Sequence, residues 1–421
     1  MKTISILTKT PGGNFYMRIL FIHTRGYHAS GPETYLQNIG QILDQKNIQH
    51  DLFCLDYSQN DFPSCLPNLP EPIGSKDVYQ YSGQNLSAMD KGRVFWGSIF
   101  RIDVYKRLNQ ILAETRYDKI IVLQYFLKMS PAVFLAAKNH SVEILFRQSD
   151  FGLICARNTF YKDGAVCTLC TKNQFNMVIN KCAGGSLTSA LVYLIYKINH
   201  AIIRYSTPKI MWTNLHSLNQ GSQSNALKNF NHILNYTPKG LFKAKKNPLS
   251  EIFDFGCIGR ISMDKGVNVL LNQLLQMPML NFKFLFLGVI DNELVQLANA
   301  VKIKHSDKVV FIDKVPQNEV CEYMNSCKFL VFTSSWFDNL PNTLIEAYSS
   351  GIPCLLPDFG CFKEFIPSQF PQLCYQKGGE IPLSRFSNGK KFDYNQMSAA
   401  VTDISMVKFS NSEHLRVLID D

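Results

Sequence analysis

Several features that define common protein classes are missing from this sequence of 421 residues. Its start, MKTISILTKTPGGNFYM, has no continuous apolar stretch, so it does not resemble a signal peptide. The most apolar segment, residues 187–205, is interrupted by Lys197, His200 and Arg204, and we predict no transmembrane helix. Neither a solenoid repeat nor a low-complexity tract is present. These absences favour a globular cytoplasmic protein.

Two common phosphate-binding motifs are missing as well. G-x-G-x-x-G does not follow the first predicted strand, and G-x-x-x-x-G-K-[ST] does not occur, which disfavours a nicotinamide dehydrogenase and a P-loop enzyme. The sequence has no Asp-x-Asp pair to hold a catalytic metal ion. It also has no basic stripe interleaved with aromatic residues, so we predict no nucleic-acid partner.

The composition is that of an ordinary globular protein with an excess of basic residues. A hydrophobic fraction of 46% over this length predicts two domains. The formal net charge of +10 favours anionic partners such as phosphates or lipid head groups, without choosing among them. The segment SLTSALVYLIYKINHAIIRY predicts either a core helix of the first domain or a helix at a membrane surface.

Buried strands alternate with amphipathic helices in two successive series, beginning at RILFIHT and at FDFGCIGRI. This order predicts an α/β protein with two doubly wound Rossmann-like domains facing each other across a cleft. The predicted parts are an N-terminal extension (1–16), a first domain (17–245) with a cysteine-rich insertion (150–185), a second domain (246–375) and a tail (376–421) that is expected to pack back on the first domain.

The segment GRISMDKG contains the first candidate site. Arg260 ends a predicted buried strand, and Lys265 comes just before a predicted helix that begins at Gly266. Two cations and the free N–H groups of a helix start can converge on an anion such as a diphosphate. The alternative is an ordinary strand-to-helix turn with two solvated cations.

The second candidate site is the stretch of residues 334–360. Pro341 is expected in the first turn of a helix, with Asp338 in the preceding loop and Glu346 inside the helix. Two carboxylates at one strand–helix junction would accept hydrogen bonds from sugar or ribose hydroxyls, while the helix N-terminus favours phosphate. The alternative is an acidic helix cap and a solvated glutamate.

Four cysteines, Cys155, Cys167, Cys170 and Cys182, follow the pattern C-x11-C-x2-C-x11-C. In a chain with no secretory signal, this pattern suits a tetrahedral structural zinc ion bound by thiolates. Buried thiols or a redox pair are the alternatives.

The order of these motifs resembles the donor domain of retaining GT-B glycosyltransferases of family four, of the bacterial polysaccharide type. The resemblance rests on GRxxxxKG, a strand ending in Thr-Ser-Ser, an acid followed seven residues later by Glu-Ala, Gly-x-Pro, and Asp-x-Gly-x-x-x-Glu at residues 358–364. It extends over about residues 17–420, and the second domain is its more specific part.

By this resemblance, Arg260 and Lys265 would hold the donor diphosphate, Glu346 the ribose and Asp338 the transferred sugar. The other donor-binding residues that it implies are Gly259, Asn339, Leu340, Pro341, Asn342, Thr343 and Glu364. Asp338 replaces the more usual glutamate of the family, which shortens the side chain by one methylene.

On the first domain, Ser30-Gly31-Pro32-Glu33 resembles the acceptor-side loop of the family. The implied acceptor-side residues are Gly31, Glu33 and Asp150. Ser149 stands where many relatives carry a histidine, so no histidine base is expected there.

The implied activity is transfer of a sugar from a UDP- or GDP-sugar to a hydroxyl of a glycan or lipid-linked acceptor, with retention at the anomeric carbon. No cofactor would be required for catalysis. The protein would act in the cytoplasm or at the cytoplasmic face of the inner membrane. The competing hypothesis is a non-catalytic scaffold that binds a sugar or a nucleotide.

Overall fold

The computed structural model describes residues 17–29, 31–77, 87–240, 253–387 and 393–420. The predicted N-terminal extension and Ser30 therefore lie outside the described residues.

Strands and helices alternate along the chain, as the sequence predicts, and apart from one short antiparallel pair, Tyr161–Lys162 with Ala165–Val166, the strands pair in parallel. The strands are β1 (Arg18–Ile22), β2 (Gln49–Phe53), β3 (Lys119–Val122), β4 (Glu143–Arg147), β5 (Tyr161–Lys162), β6 (Ala165–Val166), β7 (Lys209–Trp212), β8 (Asn231–Leu234), β9 (Phe253–Ile258), β10 (Phe284–Leu287), β11 (Val309–Ile312), β12 (Cys327–Val331), β13 (Cys354–Pro357) and β14 (Cys374–Tyr375).

The α-helices are α1 (Gly31–Gln45), α2 (Ala88–Ile99), α3 (Ile102–Glu114), α4 (Ala132–Asn139), α5 (Leu169–Lys172), α6 (Asn176–Ile179), α7 (Ser186–Ser206), α8 (Leu215–Ser222), α9 (Val267–Gln276), α10 (Val295–Lys304), α11 (Gln317–Asn325), α12 (Asn342–Ser349), α13 (Leu383–Ser387), α14 (Tyr394–Lys408) and α15 (Asn411–Asp420). Short 3₁₀ helices cover Asn292–Leu294, Gly360–Phe365 and Pro371–Leu373.

The chain divides into two compact units. Unit 1 contains the described residues up to Asn158, then Thr168–Asn235 and the residues from Arg416 onward. Unit 2 contains Tyr236–Leu415 and the short segment Thr159–Cys167. The division thus falls ten residues before the expected boundary at 245. The tail up to Leu415 is part of unit 2, where α14 packs against α12.

Unit 1 is built on a parallel sheet of six strands in the order β2-β1-β3-β4-β7-β8. The strands are continuous apolar runs, such as RILFI in β1, because helices cover both faces of such a sheet. The strand order reverses between β1 and β3. In doubly wound sheets ligands bind at this point, beyond the carboxyl ends of the strands.

Unit 2 has a parallel sheet in the order β11-β10-β9-β12-β13-β14. Its core is rich in phenylalanine, with the ring of Phe255 in contact with Phe282, Phe284 and Phe329. Here the order reverses between β9 and β12, and the loops that follow these two strands contain the predicted donor residues. Two doubly wound domains are therefore confirmed.

Helix α7 has the length and apolar composition of a membrane span, and it is the one such helix among the described residues. A third of its most apolar window is buried inside the protein. Core helices of soluble proteins meet the same criteria of length and composition, so the absence of a transmembrane helix stays a prediction.

Candidate functional site

The loop after β9 approaches the loop after β12 closely, and a glycine makes this possible. Gly266 has a φ of +68°, and a Cβ at this position would lie 2.0 Å from the carbonyl oxygen of Thr333. The Thr333 hydroxyl donates to the carbonyl of Lys265 at 2.6 Å, and Ser335 N–H donates to the carbonyl of Asp264 at 3.1 Å. These contacts fix the two loops to each other at the carboxyl edge of the sheet.

A lysine and an aspartate from these two loops form an ion pair. Lys265 Nζ donates to Asp338 Oδ1 at 2.5 Å, and the Ser334 hydroxyl donates to the other carboxylate oxygen. The Lys265 ammonium also lies 5.2 Å from the ring centroid of Trp336. Asp338 is only 5% exposed, so its carboxylate relies on these two donors. The structure thus unites a cation and an acid that lie 73 residues apart in the sequence.

Arg260 has carboxylate partners of its own. Its guanidinium lies 2.5 Å from Asp264 and 3.7 Å from Asp291, and its side chain is half exposed. Ser262 donates to the second oxygen of Asp264 at 2.5 Å. Both cations that the sequence assigned to a diphosphate therefore hold carboxylates in this structure, and an anionic ligand would have to compete with them.

Gly259 connects β9 to this loop with a φ of +128°. Its N–H donates to the carbonyl of Leu287 at 2.9 Å, and its own carbonyl lies 2.1 Å from where a Cβ on Gly288 would stand. The two glycines let the ends of β9 and β10 come together, which positions Arg260.

The loop before α12 differs slightly from the expectation. Pro341 is the N-cap residue, with a ψ of 133°, and the first helical residue is Asn342. The prediction that Pro341 lies in the first turn was one residue off. Leu340 has a φ of +65°, which is uncommon for a residue with a side chain, and it follows Asn339. Asn342 and Thr343 begin the helix, where backbone N–H groups have no intrahelical acceptor.

The two predicted glutamates lie at different places in unit 2. Glu346, half-buried in α12, lies near Cys321, whose thiol pKa is raised to about 11 by burial first and then by this carboxylate. Glu364 accepts a hydrogen bond from the Tyr236 hydroxyl at 3.1 Å, and its carbonyl accepts from Lys408 Nζ at 3.0 Å. Glu364 therefore ties the beginning of unit 2 to its last helices.

Next to the ion pair lies a group of aromatic rings that the sequence analysis did not identify. Phe337 and Phe359 stack with centroids 4.7 Å apart, and Phe160 meets Phe337 edge-on at 6.4 Å. Lys377 Nζ lies 3.7 Å from the centroid of Phe359 and donates to the carbonyl of Ser335 at 2.7 Å. These contacts hold the loop after β12 in place, and only tertiary structure could have identified them.

In unit 1 a buried acid and two basic groups meet beyond the end of β1. Glu33, the predicted acceptor-side residue in α1, is fully buried. Its carboxylate lies 2.6 Å from Arg25 Nη2 and 3.4 Å from His23 Nε2. Burial, opposed by Glu33, lowers the pKa of His23 to about 4, so its ring is neutral near pH 7. Gly31, also predicted for the acceptor side, is the first residue of α1.

Asp150 follows β4 in the same unit. Burial raises the pKa of its carboxyl to about 6, although its Oδ1 accepts the N–H of Gly152 at 2.7 Å. The buried hydroxyl of Tyr125 lies close enough for Asp150 to raise its pKa further. Arg147 lies 3.8 Å from the centroid of Tyr35 and donates to the Ser149 hydroxyl at 2.9 Å.

Lys128, after β3, adds another buried cation to unit 1. Burial, together with Arg101 and Arg25, lowers the pKa of its ammonium to about 8. Lys128, Arg25 and His23 were not predicted from the sequence. All three lie at or just beyond the carboxyl ends of predicted buried strands, and this position was the signal available in the sequence.

Of the four cysteines of the predicted zinc site, Cys155 and Cys170 are buried, and Cys167 and Cys182 are partly buried. In the part of the chain that the structure describes, no three His, Cys, Asp or Glu side chains are grouped so as to hold a metal ion. The structure lends the zinc site no support, and it stays a prediction.

A family comparison agrees with this arrangement of unit 2. Residues 253–378 match the model of the family "Glycosyl transferases group 1". All the donor-binding residues predicted from the sequence, from Gly259 to Glu364, lie within this matched segment of unit 2. No curated protein matches the chain.

Solved structures share the fold over nearly the whole chain at low sequence identity. Sucrose-phosphate synthase from Thermosynechococcus elongatus has a TM-score of 0.61 at 14% identity, covering 95% of this chain and 97% of its own. Anabaena HepE in complex with UDP-glucose has a TM-score of 0.58 at 14% identity, covering 96% and 100%. WaaG, a glycosyltransferase involved in lipopolysaccharide biosynthesis, has a TM-score of 0.57 at 12% identity, covering 95% and 98%. The fold is that of the GT-B glycosyltransferases.

Proposed function

We propose that this protein is a retaining glycosyltransferase that moves a sugar from a nucleoside-diphosphate donor to a hydroxyl of a glycan or lipid-linked acceptor in polysaccharide biosynthesis. The observation that carries the proposal is the Lys265–Asp338 ion pair. It lies where the strand order of unit 2 reverses, inside the segment that matches the glycosyl transferases group 1 family.

In the proposed donor complex, Lys265 and Arg260 exchange their carboxylate partners for the diphosphate. Negative charge grows on the diphosphate as the bond to the sugar breaks, and fixed cations and helix N–H groups stabilise such charge. Asp338, freed from Lys265, would accept hydrogen bonds from sugar hydroxyls. Glu346 would bind the ribose, and the N-terminus of α12 would contribute its N–H groups.

The first choice of donor nucleotide is uridine diphosphate. HepE, which shares the fold, has been solved with UDP, with UDP and glucose, and with UDP-glucose. GDP-sugars are the second choice. The acceptor is proposed to bind to unit 1 at Gly31, Glu33 and Asp150. The leaving diphosphate is proposed to take the proton of the acceptor hydroxyl.

A donor screen tests the proposal. The purified protein is offered UDP- and GDP-sugars, and the released nucleoside diphosphate is measured with and without simple glycoside acceptors. We expect turnover with one donor class and its loss in Lys265→Ala, because the mutation removes a cation from the leaving group. The matched control is Lys302→Ala, since Lys302 is an exposed lysine of unit 2 on α10.

Two outcomes would contradict parts of the proposal. Tight nucleotide binding with neither transfer nor slow donor hydrolysis would favour the non-catalytic scaffold. If transfer occurs, proton NMR of the fresh product reports its anomeric configuration, and inversion would refute the retaining mechanism.

A further inference from the structure

The long helix α7 presents an apolar face to the outside of unit 1. Leu187, Leu191 and Leu194 are 75%, 37% and 48% exposed, and they follow one another at spacings of four and three residues. This spacing places them on one side of the helix. We call these three residues the leucine face.

The opposite side of α7 is buried, and its polar side chains contact backbone carbonyls within unit 1. Asn199 donates to the carbonyl of Ser98 at 3.1 Å, and the Tyr196 hydroxyl donates to the carbonyl of Gly152 at 2.6 Å. His200 Nε2 lies 2.9 Å from the carbonyl of Leu153. The buried side of the helix, which also contains Ile195 and Ile203, is thus packed within unit 1, while three leucines remain exposed on the other side. Its outer face needs a separate explanation.

More exposed apolar side chains lie on the elements just before α7. Leu169, Phe175 and Ile179 are 49%, 44% and 65% exposed. Helix α6, which ends at Ile179, packs against α7, and the ring of Phe175 contacts Tyr193 edge-on at 5.5 Å. The apolar surface therefore extends beyond the leucine face, and large exposed apolar patches mark binding surfaces.

The charges in this part of the chain have one sign. Residues 164–250 contain ten Lys and Arg residues and no Asp or Glu. Lys197 and Arg204 are exposed on α7 itself, while Lys172 and Lys181 are exposed just before it. Exposed apolar residues with cations beside them on the same helix suit an anionic bilayer.

We infer that the leucine face and its surrounding cations dock unit 1 peripherally on an anionic lipid bilayer. In this arrangement the leucines enter the boundary between head groups and acyl chains, while Lys197 and Arg204 bind lipid phosphates. The hydrogen-bonded face of α7 stays packed in unit 1. This inference does not depend on the proposed function, because the surface is defined without the donor or acceptor residues.

Vesicle flotation tests the inference. The full-length protein is mixed with vesicles of phosphatidylcholine alone or with 30% phosphatidylglycerol, a composition chosen at roughly the anionic content that gives strong electrostatic attraction. We expect binding to the anionic vesicles only, and release in 1 M salt, where the Debye length falls to about 3 Å. A protein retained on vesicles in high salt would indicate a membrane-spanning α7 and overturn peripheral docking.

Two sets of variants separate the contribution of apolar burial to vesicle binding from that of electrostatic attraction. Leu187→Ser/Leu191→Ser/Leu194→Ser should weaken binding at least tenfold, on the order expected for lost apolar burial. Lys197→Gln/Arg204→Gln should weaken it about thirtyfold and reduce its salt dependence. Met279→Ser/Ile303→Ser, which changes two residues of unit 2 that are each 80% exposed, is the apolar control, and Lys302→Gln/Lys304→Gln is the charge control.

Unchanged binding in the leucine variant would overturn the inference, as would equal binding to neutral vesicles. A wild-type dimer that the leucine variant dissociates, with no vesicle binding, would instead assign this face to a second copy of the chain. Thermal unfolding checks that each variant is folded.

Discussion

Replacing Asp338 by asparagine should separate the proposed role of this residue from its role in the fold. The side chain keeps its size and one acceptor oxygen, but the charge that pairs with Lys265 is lost. The two donors to the carboxylate are Lys265 Nζ at 2.5 Å and the Ser334 hydroxyl. Asparagine can still accept from Ser334, so the main loss is the ionic contact with Lys265.

The stability cost of Asp338→Asn should be small. Hydrogen bonds to charged groups contribute about 1.5–3 kcal/mol and neutral ones about 1 kcal/mol, so the difference is about 1 kcal/mol. The Lys265 side chain is 29% exposed and can be rehydrated, which keeps the cost at this level. For a unit of this size, the melting temperature should fall by about 2–4 °C.

Nucleotide binding and sugar transfer should change in opposite directions. Without Asp338, Lys265 no longer has to leave a carboxylate before it binds a diphosphate. We expect UDP or GDP to bind about fivefold more tightly, which corresponds to about 1 kcal/mol. Transfer should fall on the order of a hundredfold, because the carboxylate that would hold the sugar is gone.

Calorimetric titration with the nucleoside diphosphate and the nucleotide-release assay measure these two quantities. Asp307→Asn serves as the control, because the Asp307 side chain is 77% exposed and lies 4.0 Å from its lysine partner. If Asp338→Asn weakened nucleotide binding or left transfer unchanged, the proposed exchange of partners at Lys265 would be wrong.

Two further predictions concern stability. Folding raises the pKa of Asp150 from 3.8 to about 6, so the folded state favours the protonated carboxyl. Protonation of Asp150 therefore contributes to the free energy of unfolding at low pH, and this contribution is lost as the pH rises through 6. Asp150→Asn should therefore raise the free energy of unfolding by about 1–3 kcal/mol at pH 8 and by clearly less at pH 5. Urea titrations measure this gain, and an equal gain at both pH values would contradict the raised pKa of Asp150. Gly266→Ala should lower the free energy of unfolding by about 2–4 kcal/mol, because a Cβ would lie 2.0 Å from the carbonyl oxygen of Thr333. The control is Gly378→Ala, which should cost only about 1 kcal/mol because Gly378 has a similar φ of +73° but open space around it. Equal thermal shifts in the two glycine variants would remove the argument from close approach.

The fold was predictable because the central strands of both sheets are continuous buried apolar runs and amphipathic helices follow them along the chain. RILFI and FDFGCI needed no tertiary information to be recognised as parallel strands. The unit boundaries were not predictable, since they depend on packing. The segment Thr159–Cys167 belongs to unit 2 although unit 1 flanks it on both sides, and no local signal marks this.

The candidate site was predictable only in part. Residue spacing identified Arg260, Lys265 and Asp338, but it could not reveal that Lys265 and Asp338 bind each other, because strand order decides which loops become neighbours. The same limit applies to His23, Arg25 and Glu33, whose contacts depend on how the start of α1 lies against the residues that follow β1. Burial then changes their chemistry, as the lowered pKa of His23 shows.

The arrangement of charges in unit 2 bears on how a donor would be selected. Arg260 and Lys265 are accompanied by the carboxylates of Asp264, Asp291 and Asp338, so this group is not a simple anion site. A free phosphate offers nothing to Asp338 and would leave that buried carboxylate without its lysine. A nucleotide sugar supplies a new partner for each member of the ion pair, because its diphosphate can bind Lys265 while its sugar hydroxyls can donate to Asp338. Because an unpaired buried carboxylate is costly, we expect the ion pair to favour the complete donor over nucleoside diphosphate alone.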